Sequence, residues 1–510
     1  MTHTSLPDPQ ATTRGEDPPT WIEAGAGFNL VAWQDRFYAL PEELGPVYLD
    51  PEDFLEASGV RVASSLLALR EELGLEAPPD IDELEPMVAE LCESLDPAAV
   101  KNIRFLIDRV SRTPAEQSAL AEELRAVNNL PGLLGLLAER QTARIQSYFL
   151  PGRPTVAIYF PSAAYREHAG QLAPRLRERG LNAFTLVGTV CDDRYEAGDQ
   201  VFYGGHNLVD RMDFVDLFLV PTLMYGLPER SRKLLLVHDI YDSPVGDPAE
   251  FRKLLLEFDA CALPSRFVVE LFKGIVSLPD PEAHRSKPLH LIPAGYLKLD
   301  RLMAHFETRR REEKTIIYAP TVTGLDFQDV ISLPQHGGAI IDAVLSGLPD
   351  YRLIFRPHPH SLPTEVVREL AARFSPHPRF ELDESASFYM DNYSRAALMI
   401  TDISGTAYTY SFATQRPVVF FSPNEAEVQR RYGALQYVED RGKVGRVIEN
   451  VADLTGAIQQ LLEDRDSIRG RIQSYRNSVI FNVGQAEDCL VRSVEALLRS
   501  EVDPAWVTLS

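Results

Sequence analysis

The spacing of apolar residues changes near residue 150 of this chain. Between Trp21 and about Leu150, apolar residues recur mainly at helical spacing, and two of the helices that this predicts lie within 115–147 and are broken near residues 128–131. From Pro154 onward, short apolar runs alternate with helix-compatible segments. Strands that alternate with helices are typical of a doubly wound parallel sheet. The pattern therefore predicts an α/β fold with an N-terminal, mainly helical domain.

The alternating part contains two such units. Strand candidates are 155–160, 182–187, 215–220, 233–237, 260–263 and 289–292 in the first unit, and 315–318, 351–355, 397–401 and 417–421 in the second. We interpret the charged segment 305–314 as a hinge between them. The predicted domains are a disordered tail over residues 1–19, a helical accessory domain over 20–150, Rossmann-like domains over 151–305 and 306–480, and a C-terminal helix and tail over 481–510.

Net charge limits the partners of the protein. The 510 residues carry a formal net charge of -23 with a pI near 5.0, so unspecific binding of nucleic acid is excluded and an anionic membrane repels most of the surface. No apolar run approaches the ~20 residues that span a bilayer. The N-terminal residues are polar and proline-bearing, unlike a signal peptide. We expect a cytoplasmic protein with at most peripheral contact at the inner membrane face.

Cysteine usage points to a reducing compartment. The four cysteines are widely separated and form no CxxC pair: Cys92, Cys191, Cys261 and Cys489. This spacing argues against a disulfide framework or a zinc site and indicates reduced thiols in packed positions.

Two turns in the second α/β unit carry candidate chemistry. Arg356-Pro-His358 follows one predicted strand, and Asp402-Ile-Ser404-Gly405-Thr406 lies between another strand and a helix. Helix N-terminal amides lack intrahelical partners, so with hydroxyl groups they form a phosphate cradle, and Arg356 and His358 can add cationic donors. Taken singly, each turn is more often structural, Ser404 as an N-cap and the prolines as strand stops. Two such turns on one predicted sheet favour a nucleotide-phosphate site, because ligands sit beyond the carboxyl ends of parallel strands.

Two facing Rossmann-like domains with phosphate turns on the second describe the GT-B arrangement. Several motifs, in chain order, resemble those of the CDP-glycerol glycerophosphotransferase family, which includes teichoic-acid polymerases and primases. They are His238 after a strand, the turn Gly295-Tyr296, Tyr318-Ala-Pro-Thr321, Arg356-Pro-His-Pro359, Ile400-Thr-Asp-Ile-Ser404 and Arg416-Pro-Val-Val-Phe-Phe421. The resemblance covers roughly residues 154–480, and the RPHP and TDxS elements in this order are its most specific part.

The resemblance implies transfer of a polyol phosphate, such as glycerol phosphate, from a CDP-activated donor to a hydroxyl of a cell-surface glycan or lipid-linked acceptor, with CMP released. No cofactor is implied. The first α/β domain would be the acceptor side and the second the nucleotide-donor side. His238 and His358 are the catalytic candidates, with His238 as the base. The donor-binding candidates are Arg356, Asp402, Ser404, Gly405 and Thr406, and Asp239 and Thr321 are supporting candidates.

Alternatives remain at the first histidine and its loop. Strand ends hold many polar residues, so His238 can equally be a histidine that is hydrogen-bonded to a neighbour. Asp239 and Asp242 would orient His238 or raise its pKa, or only solvate the loop. The family usually has tryptophan and glycine around this histidine, where this chain has Val237 and Asp239. Because these residues lie on the acceptor side, this departure leaves the identity of the acceptor open.

A second departure concerns the donor turn. The family commonly has paired serines after the aspartate, where this chain has Ser404 and Gly405, with Thr406 as a substitute. Two other functions compete with the polyol phosphate transferase. One is a GT-B glycosyltransferase that uses a nucleotide sugar in capsule or surface polysaccharide synthesis, and the other is a non-catalytic binding module.

We predict no dedicated metal site. No acidic pair of the DxD kind follows an apolar strand at the expected donor site, where the groups are cationic or hydroxylic. Such groups suit direct neutralisation of phosphate. The acidic pair Asp192-Asp193 in the first α/β domain is interpreted as part of a loop.

Overall fold

The computed structural model describes residues 20–33, 36–41, 59–63, 69, 72–74, 84–111, 114–161, 165–169, 172–189, 201–241, 247–279, 287–308, 314–323, 329–385 and 390–509. Five sequence predictions lie outside these residues: the tail over 1–19, Cys191, Asp192, Asp193 and Asp242.

A four-stranded antiparallel sheet precedes the N-terminal helices. Its strands, in spatial order, are β1 (Thr20–Gly25), β2 (Phe28–Trp33), β3 (Arg36–Pro41) and β4 (Arg61–Ala63). Ala26 and Gly27 form the first hairpin turn with positive φ values of 54° and 81°, which suits a two-residue hairpin loop. The mainly helical pattern predicted from Trp21 onward did not show these strands, because strands of three to six residues are too short to outweigh the long helical periodicity that follows.

The helical prediction is confirmed after this sheet. The helices are α1 (Leu84–Leu91), α2 (Pro97–Val110), α3 (Pro114–Leu124) and α4 (Leu130–Ser147). The predicted break before α4 is a helix start, where the Asn129 side chain accepts a hydrogen bond from the amide of Gly132 at 2.8 Å. Such a cap satisfies one of the unpaired amides of the first helical turn.

The chain divides into two compact units. The first contains Met1–Ala163, Ala173–Phe218 and Gly226–Ser231, and the second contains Ala164–Leu172, Leu219–Tyr225 and Arg232–Ser510. The domain bounds given by the sequence stay a prediction.

The first unit combines the N-terminal elements with three parallel strands. These are β5 (Thr155–Phe160), β6 (Asn182–Val187) and the short β7 (Val201–Tyr203), paired in that order. Buried Gln141 of α4 exchanges two hydrogen bonds with the backbone of Tyr203, at 2.7 and 2.9 Å. The side-chain amide thereby pairs backbone groups at the end of β7.

The second unit begins with elements that flank the predicted first Rossmann-like sheet. Short helix α5 (Arg166–Ala169) belongs to this unit, whereas α6 (Leu172–Glu178) belongs to the first unit apart from Leu172, and β8 (Leu217–Val220) has residues in both. Three parallel strands follow, β9 (Arg232–Leu236), β10 (Ala260–Leu263) and β11 (Leu289–Pro293), with helices α7 (Pro248–Leu255), α8 (Arg266–Val276) and α9 (Leu297–Thr308). The register pairs Ala260 with Leu234 and with His290.

The rest of the second unit contains a six-stranded parallel sheet. Its strands are β12 (Thr315–Tyr318), β13 (Arg352–Phe355), β14 (Phe380–Leu382), β15 (Ala396–Thr401), β16 (Val418–Phe421) and β17 (Gly445–Ile448), and the spatial order is β14-β13-β12-β15-β16-β17. Numbered from β12, this is the order 3-2-1-4-5-6 of a dinucleotide-binding fold, which confirms the predicted doubly wound sheet. The order reverses between β12 and β15, where such folds bind their ligands.

Helices alternate with the strands of this sheet and continue after its last strand. They are α10 (Leu333–Gly347), α11 (Glu365–Phe374), α12 (Met390–Arg395), α13 (Thr406–Thr414), α14 (Glu425–Tyr432), α15 (Gln436–Glu439), α16 (Arg441–Val444), α17 (Leu454–Glu463), α18 (Arg465–Val479) and α19 (Ala486–Leu498). The final strand β18 (Val507–Leu509) pairs antiparallel with β11, where the sequence predicted only a tail. Within the described ranges, no helix has the length and apolar character needed to span a membrane.

Candidate functional site

The two predicted turns lie at one edge of the six-stranded sheet. Strand β12 pairs with β13 on one side and with β15 on the other, all in parallel. The segment after β12 therefore lies between the Arg356–His358 turn that follows β13 and the Asp402–Thr406 turn that follows β15. Three motifs that are far apart in the sequence thus meet where the strand order reverses.

Asp402 joins two of these segments. Its carboxylate is buried and accepts hydrogen bonds from the amide and hydroxyl of Thr321, the amide of Ile403, and the amide and hydroxyl of Ser332. The two bonds from Ser332 measure 2.7 and 2.8 Å. A carboxylate has about four lone-pair sites, so five accepted bonds leave none of them free. Asp402 therefore positions the loops after β12 and β15. Its contacts indicate a structural role at the predicted donor-binding position.

The helix start after Asp402 presents unpaired groups. Gly405 is exposed, and a Cβ added there would meet no atom within 4 Å. Among the described residues, the backbone amides of Ser404 and Gly405 have no hydrogen-bond partner. The Thr406 hydroxyl is paired with the hydroxyl of Tyr393. Free amides at the positive end of a helix suit an anion, and in this respect Ser404 and Gly405 are better placed than the Thr406 hydroxyl. An anion site at this position stays a prediction.

Arg356 is committed to an internal ion pair. The residue is 9% exposed, and its guanidinium donates to Asp383 at 2.6 Å and to the carbonyl of Ser385 at 2.9 Å. Burial raises the pKa of Asp383, but the Arg356 charge and hydrogen bonds from Ser385, Asn392 and Arg356 outweigh it and hold the pKa below its ordinary value. Arg356 therefore ties the end of β13 to the segment after β14, in addition to lending positive charge to this edge.

His358 is neutral in the ligand-free protein. Burial, followed by the neighbouring His360 and Arg356, lowers the pKa of His358 to about 4. Its Nδ1 accepts the amide proton of His360 at 3.2 Å, so the proton of the neutral ring lies on Nε2. The His360 ring stacks on it with centroids 5.3 Å apart. At neutral pH the ring of the free protein therefore offers an N–H donor, and the supply of a cation by His358 to a bound ligand stays a prediction.

His238 follows β9 and has a defined tautomer. Its Nδ1 lies 2.8 Å from the carbonyl oxygen of Pro221. A carbonyl only accepts, so Nδ1 carries the proton in the neutral ring and Nε2 keeps its lone pair. Asp239 is exposed, and the described contacts include no hydrogen bond between its carboxylate and His238. Pro221, rather than Asp239, orients the ring.

The Gly295-Tyr296 turn supports the His238 backbone. Gly295 has φ +99°, and a Cβ there would lie 2.6 Å from the carbonyl oxygen of Phe481, so only glycine fits. The Tyr296 hydroxyl donates to the carbonyl oxygen of His238 at 2.8 Å. The motif thus fixes the loop that carries the histidine.

The loop that contains His238 also contacts α13, the helix that follows the Asp402–Thr406 turn. Tyr241 packs on Tyr408 of α13 with ring centroids 4.1 Å apart, and its hydroxyl lies 2.8 Å from that of Tyr475. The loop that contains His238 is therefore linked to α13. That His238 faces His358 across a cleft stays a prediction.

Sequence reasoning missed Ser332 and Asp383. Ser332 immediately precedes α10, and the following Leu-Pro is a helix-start signal, but its bond to Asp402 spans 70 residues and has no local sign. Asp383 follows the three-residue strand β14, which is too short to be seen in the pattern. Within the described part of the chain, no group of three or more His, Cys, Asp or Glu residues is arranged to hold a metal ion.

Solved structures share the fold. The wall teichoic acid polymerase TagF matches with a TM-score of 0.52 and 13% identity, covering 73% of this chain and 97% of that chain. A TagF variant soaked with CDPG for 15 minutes matches with a TM-score of 0.51 and 14% identity, covering 73% and 96%. These likenesses confirm the predicted GT-B-like α/β fold.

Part of the sequence matches a family model. Residues 290–496 match the model of the CDP-Glycerol:Poly(glycerophosphate) glycerophosphotransferase family. This match agrees with the resemblance that the motifs show, and the matched segment contains both predicted phosphate turns. His238 lies before the matched segment. The comparison with curated protein sequences gives no match.

Proposed function

We propose that the protein is a polyol phosphate transferase that uses a CDP-activated donor, of which CDP-glycerol is the first candidate. One observation carries this proposal: three family motifs lie close together where the 3-2-1-4-5-6 strand order of the sheet reverses. The paired phosphates of the donor would lie against the free amides of Ser404 and Gly405, with the Nε2–H of His358 as a further donor. This set of donors suits a diphosphate without a metal ion.

The reaction needs a base on the acceptor side, and His238 has the chemistry for it. The acceptor oxygen attacks the phosphorus that carries the polyol, the bond from that phosphorus to the bridging oxygen breaks, and CMP leaves. The acceptor proton passes to Nε2 of His238, whose Nδ1–H stays on the Pro221 carbonyl. Such a fixed tautomer favours one nitrogen as general base.

His358 would change its charge during the cycle. In the free protein its pKa is about 4, and a nearby phosphate anion favours the protonated form. A bound diphosphate therefore converts a neutral donor into a charged one. This strengthens the interaction as charge develops on the departing CMP.

A panel of activated donors tests the proposal. CMP release is measured from CDP-glycerol and CDP-ribitol, and nucleoside diphosphate release from UDP- and GDP-sugars, each with a mixture of polyol, glycan and lipid-linked hydroxyl acceptors. We expect CDP-polyol turnover that falls by ~10²- to 10⁴-fold in His238→Ala. Turnover of a nucleotide sugar alone would identify a glycosyltransferase instead, and binding of donors with no turnover at all would identify a non-catalytic binding module.

A further inference from the structure

A second histidine lies against His238 and belongs to none of the matched motifs. His168 is carried by α5 and is 7% exposed. Its ring meets the His238 ring edge to face, with centroids 5.3 Å apart and an interplanar angle of 67°. The Tyr296 ring lies 6.0 Å from it, so His168 contacts both the histidine and the tyrosine that supports its loop.

The His238 ring contacts two aromatic neighbours, which also contact each other. Tyr165, three residues before His168, meets the His238 ring at 5.2 Å and 72°. Edge-to-face pairs at such distances favour a defined ring orientation. The hydrogen bond from Nδ1 to Pro221 alone does not prevent the ring from rotating about its side-chain bonds and breaking that hydrogen bond. The two edge contacts remove this freedom.

His168 has the properties of an uncharged neighbour. Burial, then the Lys298 charge, then His238 lower the pKa of His168 well below its ordinary value. The groups that face it are Lys298 of α9, Tyr165, Tyr296 and His238. No carboxylate is among these groups. Within the described residues, Nδ1 of His168 has no hydrogen-bond partner.

We propose that His168 is a positioning residue for the base His238, which it holds by aromatic contact so that Nε2 is directed at the acceptor hydroxyl. This inference rests on the proposed function. Because His168 stays neutral, it adds no repulsion when His238 takes up the acceptor proton. Its role needs an uncharged aromatic ring, and it transfers no proton itself.

Three variants test the role. His168→Ala removes the ring, His168→Phe keeps an uncharged ring, and His290→Ala on β11 is a matched loss of a histidine that contacts Thr508 and Trp506. For CDP-glycerol turnover we expect His168→Ala to lower kcat by about 10- to 100-fold, as for a small misplacement of a reacting group. CDP-glycerol affinity should stay within about twofold, and His168→Phe should restore kcat to within about threefold of the parent.

The pH profile separates positioning from proton transfer. The acid limb of kcat/KM should be unchanged in His168→Phe, because a residue that stays neutral does not titrate there. Equal loss of kcat in the Phe and Ala variants would overturn the proposal and assign His168 a proton-transfer role. A parallel loss of kcat, donor affinity and melting temperature in His168→Ala would also overturn it, since a purely structural role predicts that pattern.

A spectroscopic readout keeps the test independent of turnover. In ¹⁵N-histidine spectra we expect a protected Nδ1–H signal from His238 in the parent, His168→Phe and His290→Ala proteins, and loss of that protection in His168→Ala. Retained protection in His168→Ala would overturn the positioning role. If the parent protein fails to turn over CDP-glycerol while the spectra behave as expected, the proposed function fails and the positioning of His238 stands.

Discussion

At the scale of single residues, we expect the charge of His358 to depend on whether a donor is bound. Its lowered pKa of about 4 arises mainly from burial. Because this value lies below that of an unfolded histidine, near 6.5, the unfolded chain takes up the proton first as the pH falls. The stability that the neutral ring contributes is therefore full above about pH 6.5 and is lost as the pH falls toward 4.

A donor diphosphate should reverse this shift. We predict that CDP-glycerol raises the pKa of His358, because an adjacent anion favours the imidazolium. NMR titration of the ring between pH 4 and 8, with and without CDP-glycerol, measures this directly. A ring that already titrates near 6.5 in the free protein, or a pKa that the donor does not change, would contradict the prediction.

The Arg356–Asp383 pair predicts a stability effect larger than that of a surface contact. Arg356→Ala leaves the Asp383 carboxylate buried and unpaired, which costs about 3–5 kcal/mol. Because the pKa of Asp383 is depressed, the contribution of the pair is present above the unfolded pKa near 4 and is lost as the pH falls through the lower folded value.

Urea unfolding of Arg356→Ala, Asp383→Asn and the double variant separates the pair from its members. We expect the double variant to be less destabilised than the sum of the single variants. The exposed pair Lys314–Asp350 provides the control, since Asp350→Asn should change stability by less than about 0.5 kcal/mol. Additive losses would show that the two side chains act independently.

At the scale of elements, Asp402 holds the loops after β12 and β15 in one arrangement. Asp402→Asn replaces a carboxylate that accepts five hydrogen bonds by an amide with one acceptor oxygen and an N–H₂ group that faces donors. We expect a loss of about 1–3 kcal/mol or more in stability, together with weaker CDP-glycerol binding. Calorimetry and a donor titration on the same samples measure both, and loss of affinity at unchanged stability would instead indicate direct contact between Asp402 and the donor.

The sequence predicts the long elements and misses the short ones for a physical reason. Strands such as β10 and β12 are continuous apolar runs between turn residues, because both faces of a parallel sheet are covered, and their predicted bounds agree with the structure. Strands β7 and β14 have three residues each. Such segments pair because their neighbours are already in place, which leaves no periodic signal in the sequence.

The candidate site is predictable only in part. The turns that carry Arg356 and Ser404 follow recognisable strands, so their common edge follows from the parallel sheet. The Arg356–Asp383 pair, the Ser332–Asp402 bonds and the His168–His238 contact depend on three-dimensional proximity between residues 27 to 70 positions apart. The lowered pKa of His358 depends on burial that a sequence does not display.

At the scale of the whole molecule, the proposal gives the two histidines different tasks. His238 is the proposed base and keeps an acceptor nitrogen at Nε2, whereas His358 has an Nε2–H that it would offer to the donor. The contact between Tyr241 and Tyr408 joins the loop of one to the helix of the phosphate turn. Mutation of His358 should therefore affect donor binding, and mutation of His238 should affect base catalysis, although the His238 loop and α13 are in contact.

One titration series tests this division of labour most directly. CDP-glycerol binding to the parent, His238→Ala and His358→Ala proteins is measured by calorimetry, with a UDP-sugar as the comparison ligand. We predict that His358→Ala weakens CDP-glycerol binding by about 10- to 100-fold, as for loss of a hydrogen bond to a charged group, and that His238→Ala leaves it within about twofold. Equal losses in both variants, or binding of the UDP-sugar in preference to CDP-glycerol, would contradict the account.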